Sequence, residues 1–105
     1  INMMIEVITF GLPENMSKEE LLNNYKETSP KWRGVKELIR KSYLYDEDAR
    51  LGGGIYHWKN EEAAEHWHGE EWRKSVVDLY GNAPVIRRFK VPIVADNELA
   101  KTIEF

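Results

Sequence analysis

The chain has no cysteine. Disulfides, thiol nucleophiles and thiolate metal ligands are therefore excluded, and a cytoplasmic location is the expectation. A basic surplus is missing too: 15 Lys and Arg stand against 18 Asp and Glu, for a net charge of -3. Nucleic acids and anionic membrane surfaces both select a basic footprint, so neither is an expected partner. No apolar run approaches the ~20 residues of a membrane-spanning helix. The opening INMMIEV has no basic segment ahead of an apolar one, so no signal peptide is expected, and Ile1–Asn2 are expected to precede a native start at Met3 or Met4. Gly52, Gly53 and Gly54 form the only glycine run. It lacks the spacing, the following helix and the lysine of a phosphate-binding loop.

What remains is a single domain, residues 1–105, with 42% hydrophobic and 31% charged residues, the balance of a folded globular chain. A domain of this size buries limited apolar surface, and oligomerisation is a common supplement.

The elements follow from pattern. Met3 to Phe10 (MMIEVITF) is β-branched and nearly all apolar, as expected of a central strand. Ser17 and Glu20 form a capping box, and the helix they open is predicted to stop at Ser29–Pro30. Val35 to Tyr45 and Leu51 to Trp58 read as two strands around the polar turn Asp46–Arg50. The first places Leu38, Arg40, Ser42 and Leu44 on one side, and Ile39, Lys41, Tyr43 and Tyr45 on the other. In the second, Ile55 and His57 oppose Tyr56 and Trp58. Asn60 to Tyr80 is predicted helical, capped by Asn60, with Gly69 as a kink or break and Gly81 just past the end. Pro84 to Val94 is the last strand, with Pro92 marking an edge or a bulge. Residues 96–105 form a half-polar tail, expected to dock on a partner subunit or to fray.

The order β-α-β-β-α-β is the split βαβ arrangement. The expected fold is α+β and ferredoxin-like, an antiparallel sheet with helices on one face. Apolar residues occupy both parities of the strands, so the other face needs cover as well. A two-fold homodimer with its sheets face to face supplies it.

The segments GVKELIRKSYLYDED, GGGIYHW and YGNAPVIRRFKVPIVADN, with an Ala-Ala helix between the last two, resemble the YdhR-like mono-oxygenases. These belong to the dimeric α+β barrel superfamily that includes antibiotic-biosynthesis and quinol mono-oxygenases. The resemblance runs from about Gly34 to Asn97. It implies a homodimeric, cofactor-independent and metal-free mono-oxygenase acting on a small aromatic phenol, hydroquinone or anthrone. The alternative is a non-catalytic module of the same fold that binds or senses such a molecule.

Oxidation of that kind uses the substrate's own phenolate as electron donor. The protein must supply a base, a partner for the anion and a dry aromatic pocket. His57, on the glycine-led strand, is the expected base, with Arg40 as the catalytic cation beside it. Arg87, Tyr43, Tyr56, Trp58, Trp67 and Trp72 are the expected substrate-binding residues. Each arginine, Arg88 included, has a plainer role in pairing with Glu6 or Glu37 or in facing solvent. Relatives in the antibiotic-biosynthesis group often carry a helix histidine nine residues after the strand tryptophan. That position here is Trp67, between His66 and His68. A three-histidine metal site with His57 would need a helix break at Gly69, because positions i and i+2 of a helix do not share a face.

Overall fold

A computed structural model describes residues 3–105. The expectation about Ile1 and Asn2 lies outside them. Four strands, β1 (Met4–Gly11), β2 (Leu38–Asp46), β3 (Leu51–Trp58) and β4 (Val85–Lys90), form one antiparallel sheet in the order β2-β3-β1-β4. Helices α1 (Lys18–Arg33), α2 (Glu61–Trp67) and α3 (Glu70–Tyr80) supply the helical layer. The α+β architecture is thus the one read from sequence, with β1 central as expected.

Alternation along β1 sets the layers. Met4, Glu6, Ile8 and Phe10 are buried, while Ile5, Val7 and Thr9 are half-buried on the opposite, outer face. Tyr56 and Trp58 of β3, Ala63 and Ala64 of α2, Val76 and Tyr80 of α3, and Leu21, Tyr25 and Trp32 of α1 complete the core.

Three departures from the sequence reading, and the expected break at Gly69, have identifiable causes. The first helix does not stop at Ser29–Pro30 but runs on to Arg33. Proline inside a helix costs ~3 kcal/mol, because it removes one backbone donor and its ring crowds the preceding turn. The extra turn brings Trp32 into the core against Tyr56, Trp58 and Trp67. Burying a tryptophan is worth roughly 4–6 kcal/mol as an upper bound, so packing wins.

Second, β2 starts at Leu38, and its register shifts between Leu38 and Arg40. Leu38 pairs with Trp58 and packs on the core, Arg40 pairs with His57, and Ile39 is the extra residue, 47% exposed. A bulge of this kind resets parity, so Leu38 belongs with Lys41, Tyr43 and Tyr45 rather than with Arg40. Third, Gly69 divides the predicted helix into α2 and α3. Asn60 caps the first by accepting from the Ala63 N–H, and Gly81 closes the second at φ 75°.

Fourth, Pro92 ends β4 rather than sitting within it. The chain then forms a separate hairpin, β5 (Ile93–Asp96) with β6 (Lys101–Glu104). The expected tail is therefore half of an ordered two-stranded ribbon. It leaves Ile93 and Leu99 exposed.

Candidate functional site

Two adjoining groups of side chains lie on the helix-facing side of the sheet. The first is a buried polar cluster. Glu6 of β1 and His68, at the break between α2 and α3, are 0% and 1% exposed. Trp58 Nε1–H donates to Glu6 Oε1 at 2.9 Å, and His68 Nδ1 lies 2.6 Å from the same oxygen. Arg88, the register partner of Glu6 on β4, donates from Nε to Oε2 at 2.8 Å.

Burial alone would push the Glu6 carboxyl up. The hydrogen bond and charge of His68, with hydrogen bonds from Trp58 and Arg88, outweigh it and hold the carboxyl below its usual range. Burial pushes His68 below its ordinary value, against the pull of Glu6. The imidazole is thus neutral near pH 7 and carries its proton on Nδ1, because a carboxylate can only accept. Glu6 and Arg88 then balance in charge.

The break at Gly69 turns His68 inward onto Glu6, while His66 is exposed and His57 lies on the outer face. The three histidines therefore point to three different places. Among the described residues, no group of three or more His, Cys, Asp or Glu side chains is gathered as a metal site.

The second group surrounds a cavity of about 250 Å³ between sheet and helices. Tyr25, Tyr43, Tyr56, Trp72 and Tyr80 supply its aromatic wall, and Gly53 and Gly54 its floor. The floor requires glycine. A methyl group on Gly53, where φ is 152°, would stand 1.9 Å from the Ile8 carbonyl oxygen. One on Gly52 would stand 2.6 Å from the Tyr25 hydroxyl. That hydroxyl leans from α1 onto the hairpin, accepting from the Gly53 N–H at 2.9 Å and donating to the Leu44 carbonyl at 2.7 Å. The glycine run thus lets a helix side chain tie β2 to β3 and leaves open space beside it.

Lys41 of β2 stands in the cavity wall. Its Nζ lies 3.9 Å from the ring centre of Tyr43 and 4.7 Å from those of Tyr56 and Trp32. It makes no hydrogen bond or ion pair among the described residues. Burial, with a smaller contribution from the Lys31 charge, pushes its ammonium down to about 7. Burial pushes Tyr25 up to about 12 and raises Tyr43 and Tyr56, so these phenols are neutral at pH 7. The Tyr25 and Tyr43 hydroxyls are already engaged, the latter with Thr28 Oγ1 at 2.6 Å. Lys41 is therefore a free polar group with both proton states accessible near neutrality.

The residues expected from sequence fall into two sets. Tyr43, Tyr56 and Trp72 line the cavity. Trp58 is buried behind it on Glu6, and Trp67 packs edge-on against Trp32. His57 and Arg40 are register partners on the outer face. There, burial and then the Arg40 charge push His57 below its ordinary value. Arg87 also faces outward, stacked 5.3 Å from Phe89. His57 and Arg87 are thus separated by the sheet from the aromatic cavity, while Arg40, on the edge strand β2, lines a groove outside it. Arg88 adopts the plainer role, paired with Glu6 across the strands.

Sequence reasoning passed over Lys41 as a site residue; it named Glu6 only as a cross-strand partner for an arginine, and His68 only beside His66 in a three-histidine site. The signal for two of them was parity. Glu6 alternates with Met4 and Ile8, and Lys41 with Tyr43 and Tyr45, so each charge stood on an inward apolar face.

These features define a compact α+β domain with a partly open aromatic cavity between its sheet and helices. The same fold recurs in two solved structures. One is NE2512, a protein of unknown function from Nitrosomonas europaea, with TM-score 0.68 and 11% identity over 86% of this chain and 89% of that one. The other is the structural-genomics protein YJCS, with TM-score 0.66 and 14% identity over 85% of this chain and 98% of that one. At such identities the likeness is one of fold. No family model matches the chain, and no curated protein sequence does.

Proposed function

We propose that the cavity takes a small planar aromatic molecule bearing an acidic hydroxyl, and that Lys41 receives its proton. The observation that carries this reading is the uncommitted Lys41 amine in a wall of aromatic rings. Proton transfer from a phenol with pKa near 10 to an amine near 7 is uphill by ~4 kcal/mol. The ammonium–phenolate pair it creates at ~4 Å returns ~4 kcal/mol at an effective dielectric of 20. The burial that pushes Tyr25 up to about 12 acts against the anion as well, so ligands more acidic than phenol are the ones the cavity ionises.

The reaction suited to such an anion is cofactor-independent oxygenation by O₂, the chemistry implied by the resemblance to YdhR-like mono-oxygenases. For an anthrone, the ring CH₂ becomes C=O, one oxygen atom enters the product, and the other leaves as water. Lys41 thus takes the role that the sequence alone suggested for His57. O₂ uptake with a panel of hydroquinones and anthrones is expected to be abolished in Lys41→Met and retained in His57→Ala. Loss in His57→Ala with activity intact in Lys41→Met would reverse the assignment. A wild-type protein that binds the panel without consuming O₂ would be a binding module rather than an oxygenase.

The proposal extends to a homodimer. The outer sheet face carries Val85 at 59% and Phe89 at 45% exposure, together with half-buried Ile5, Val7 and Ile55. Face-to-face pairing of two sheets would remove this surface from water, and would place His57 at or beside the interface. Light scattering on a sizing column is expected to give twice the chain mass of 12.4 kDa. A stable monomer at micromolar concentration would contradict it.

A further inference from the structure

Lys41 stands in two spaces at once. Besides the cavity, it lines a groove of about 280 Å³ that opens beside β2 against the last turns of α1. Cavity and groove share Trp32, Lys41 and Tyr43, so they meet at the lysine. The groove has a distinct chemistry: Arg33 from the end of α1 and Arg40 from β2 line it, both exposed, together with Ser29 of α1. Lys31, outside the groove lining, is a fourth cation nearby, its Nζ 4.8 Å from the Trp32 ring centre. None of the four is in an ion pair among the described residues, in a chain whose net charge is -3.

Cations gathered without carboxylates repel one another, and the Lys31 charge is already one cause of the lowered Lys41 value. Such an arrangement is relieved by a bound anion. An apolar aromatic chamber joined to a cationic groove fits a molecule with two unlike ends.

Building on the proposed aromatic cavity, we infer that the ligand is an aromatic acid whose rings occupy the cavity and whose anionic group lies in the groove against Arg33 and Arg40. Arginine is suited to this part because its planar guanidinium meets a carboxylate or sulfonate through two parallel N–H donors. Lys41, at the junction, is then left to face the ring hydroxyl rather than the acid.

Two fluorescent probes with the same carbon skeleton separate the claims. Anilinonaphthalene sulfonate carries an anion, and N-phenylnaphthylamine does not. The sulfonate is expected to bind about tenfold tighter than the neutral probe, the effect of one or two charge-assisted contacts. Arg33→Gln with Arg40→Gln should remove that advantage and leave N-phenylnaphthylamine binding unchanged. Both positions are exposed, so the fold should tolerate the pair, and circular dichroism checks it. Added salt should weaken the sulfonate alone. Leu79→Trp, at a half-exposed position on the cavity lining, should weaken both probes together. Equal affinities for the two probes, or a sulfonate affinity indifferent to the arginines, would overturn the aromatic-acid inference while leaving the cavity reading intact. If neither probe binds, or Leu79→Trp alters neither, the cavity reading fails and takes this inference with it.

Discussion

Glu6 and Lys41 stand on the same side of the same sheet, each among aromatic rings, and they are treated in opposite ways. The Glu6 carboxylate is met by three donors and is shut from solvent. Lys41 is half-buried against three rings and has no acid beside it. A charge whose hydrogen-bonding capacity is filled from within the protein has little left for a ligand, and serves to fix β1, β3, β4 and the α2–α3 break relative to one another. A charge held only by ring faces keeps its capacity and stays poised to change protonation state. The contrast separates a structural ion from a functional one without reference to any relative.

The largest effect is expected from breaking the filled site. Glu6→Gln leaves half-buried Arg88 without its carboxylate and sets an amide NH₂ among buried donors, and should cost ~3–5 kcal/mol in urea unfolding. A cost under ~1 kcal/mol would mean that the cluster is not the structural charge described here. The second effect runs the other way. The fall of Lys41 from 10.5 to about 7 corresponds to at most ~5 kcal/mol of destabilisation, of which attraction to the rings returns ~1–2. Lys41→Met should therefore stabilise the fold by ~2–4 kcal/mol at pH 6 while abolishing proton transfer in the cavity.

Its pH dependence follows from linkage. Between about 7 and 10.5 the unfolded chain holds a proton on Lys41 that the folded chain has released, so wild-type stability from this group rises with pH over that window. The advantage of Lys41→Met should shrink across the same range. An advantage that stays constant to pH 10 would place its cause in packing.

The smallest effect concerns the acid side and marks the cluster off from Lys41. His68 is held below 6.5 and Glu6 below 4.5, so in each case the unfolded chain takes up its proton first as the pH falls. Stability contributed by the cluster is thus lost going down through the lowered His68 and Glu6 values. His68→Gln, still able to donate to Glu6, should flatten the upper part of that acid slope in urea titrations between pH 7 and 5. An unchanged slope would show that His68 does not titrate in this range.

Much of this architecture was legible in the chain. The succession of strands and helices, the Ser17 and Asn60 caps and the interruption at Gly69 all follow from local rules, because each depends on residues within a few positions. The errors arose where a distant contact outweighed a local preference. Pro30 is carried inside α1 because Trp32 has a core to fill, and Leu38 changes face because a bulge resets the alternation. The site was less legible for the same reason. His57 was conspicuous as a titratable residue beside glycines, yet alternation sends it to the outer face with Arg40. Glu6, Lys41 and His68 were inconspicuous because their roles depend on strands and a helix break brought together from distant parts of the sequence.

The central claim is that burial, with the Lys31 charge, holds Lys41 near neutrality, ready to exchange a proton with a ligand. NMR titration of the Lys41 side-chain Cε and its attached protons measures this directly. A midpoint near 7 is expected in the free protein, moving upward when a phenolic ligand is bound and its phenolate pairs with the ammonium. A midpoint at the ordinary 10.5, unmoved by ligand, would contradict the account.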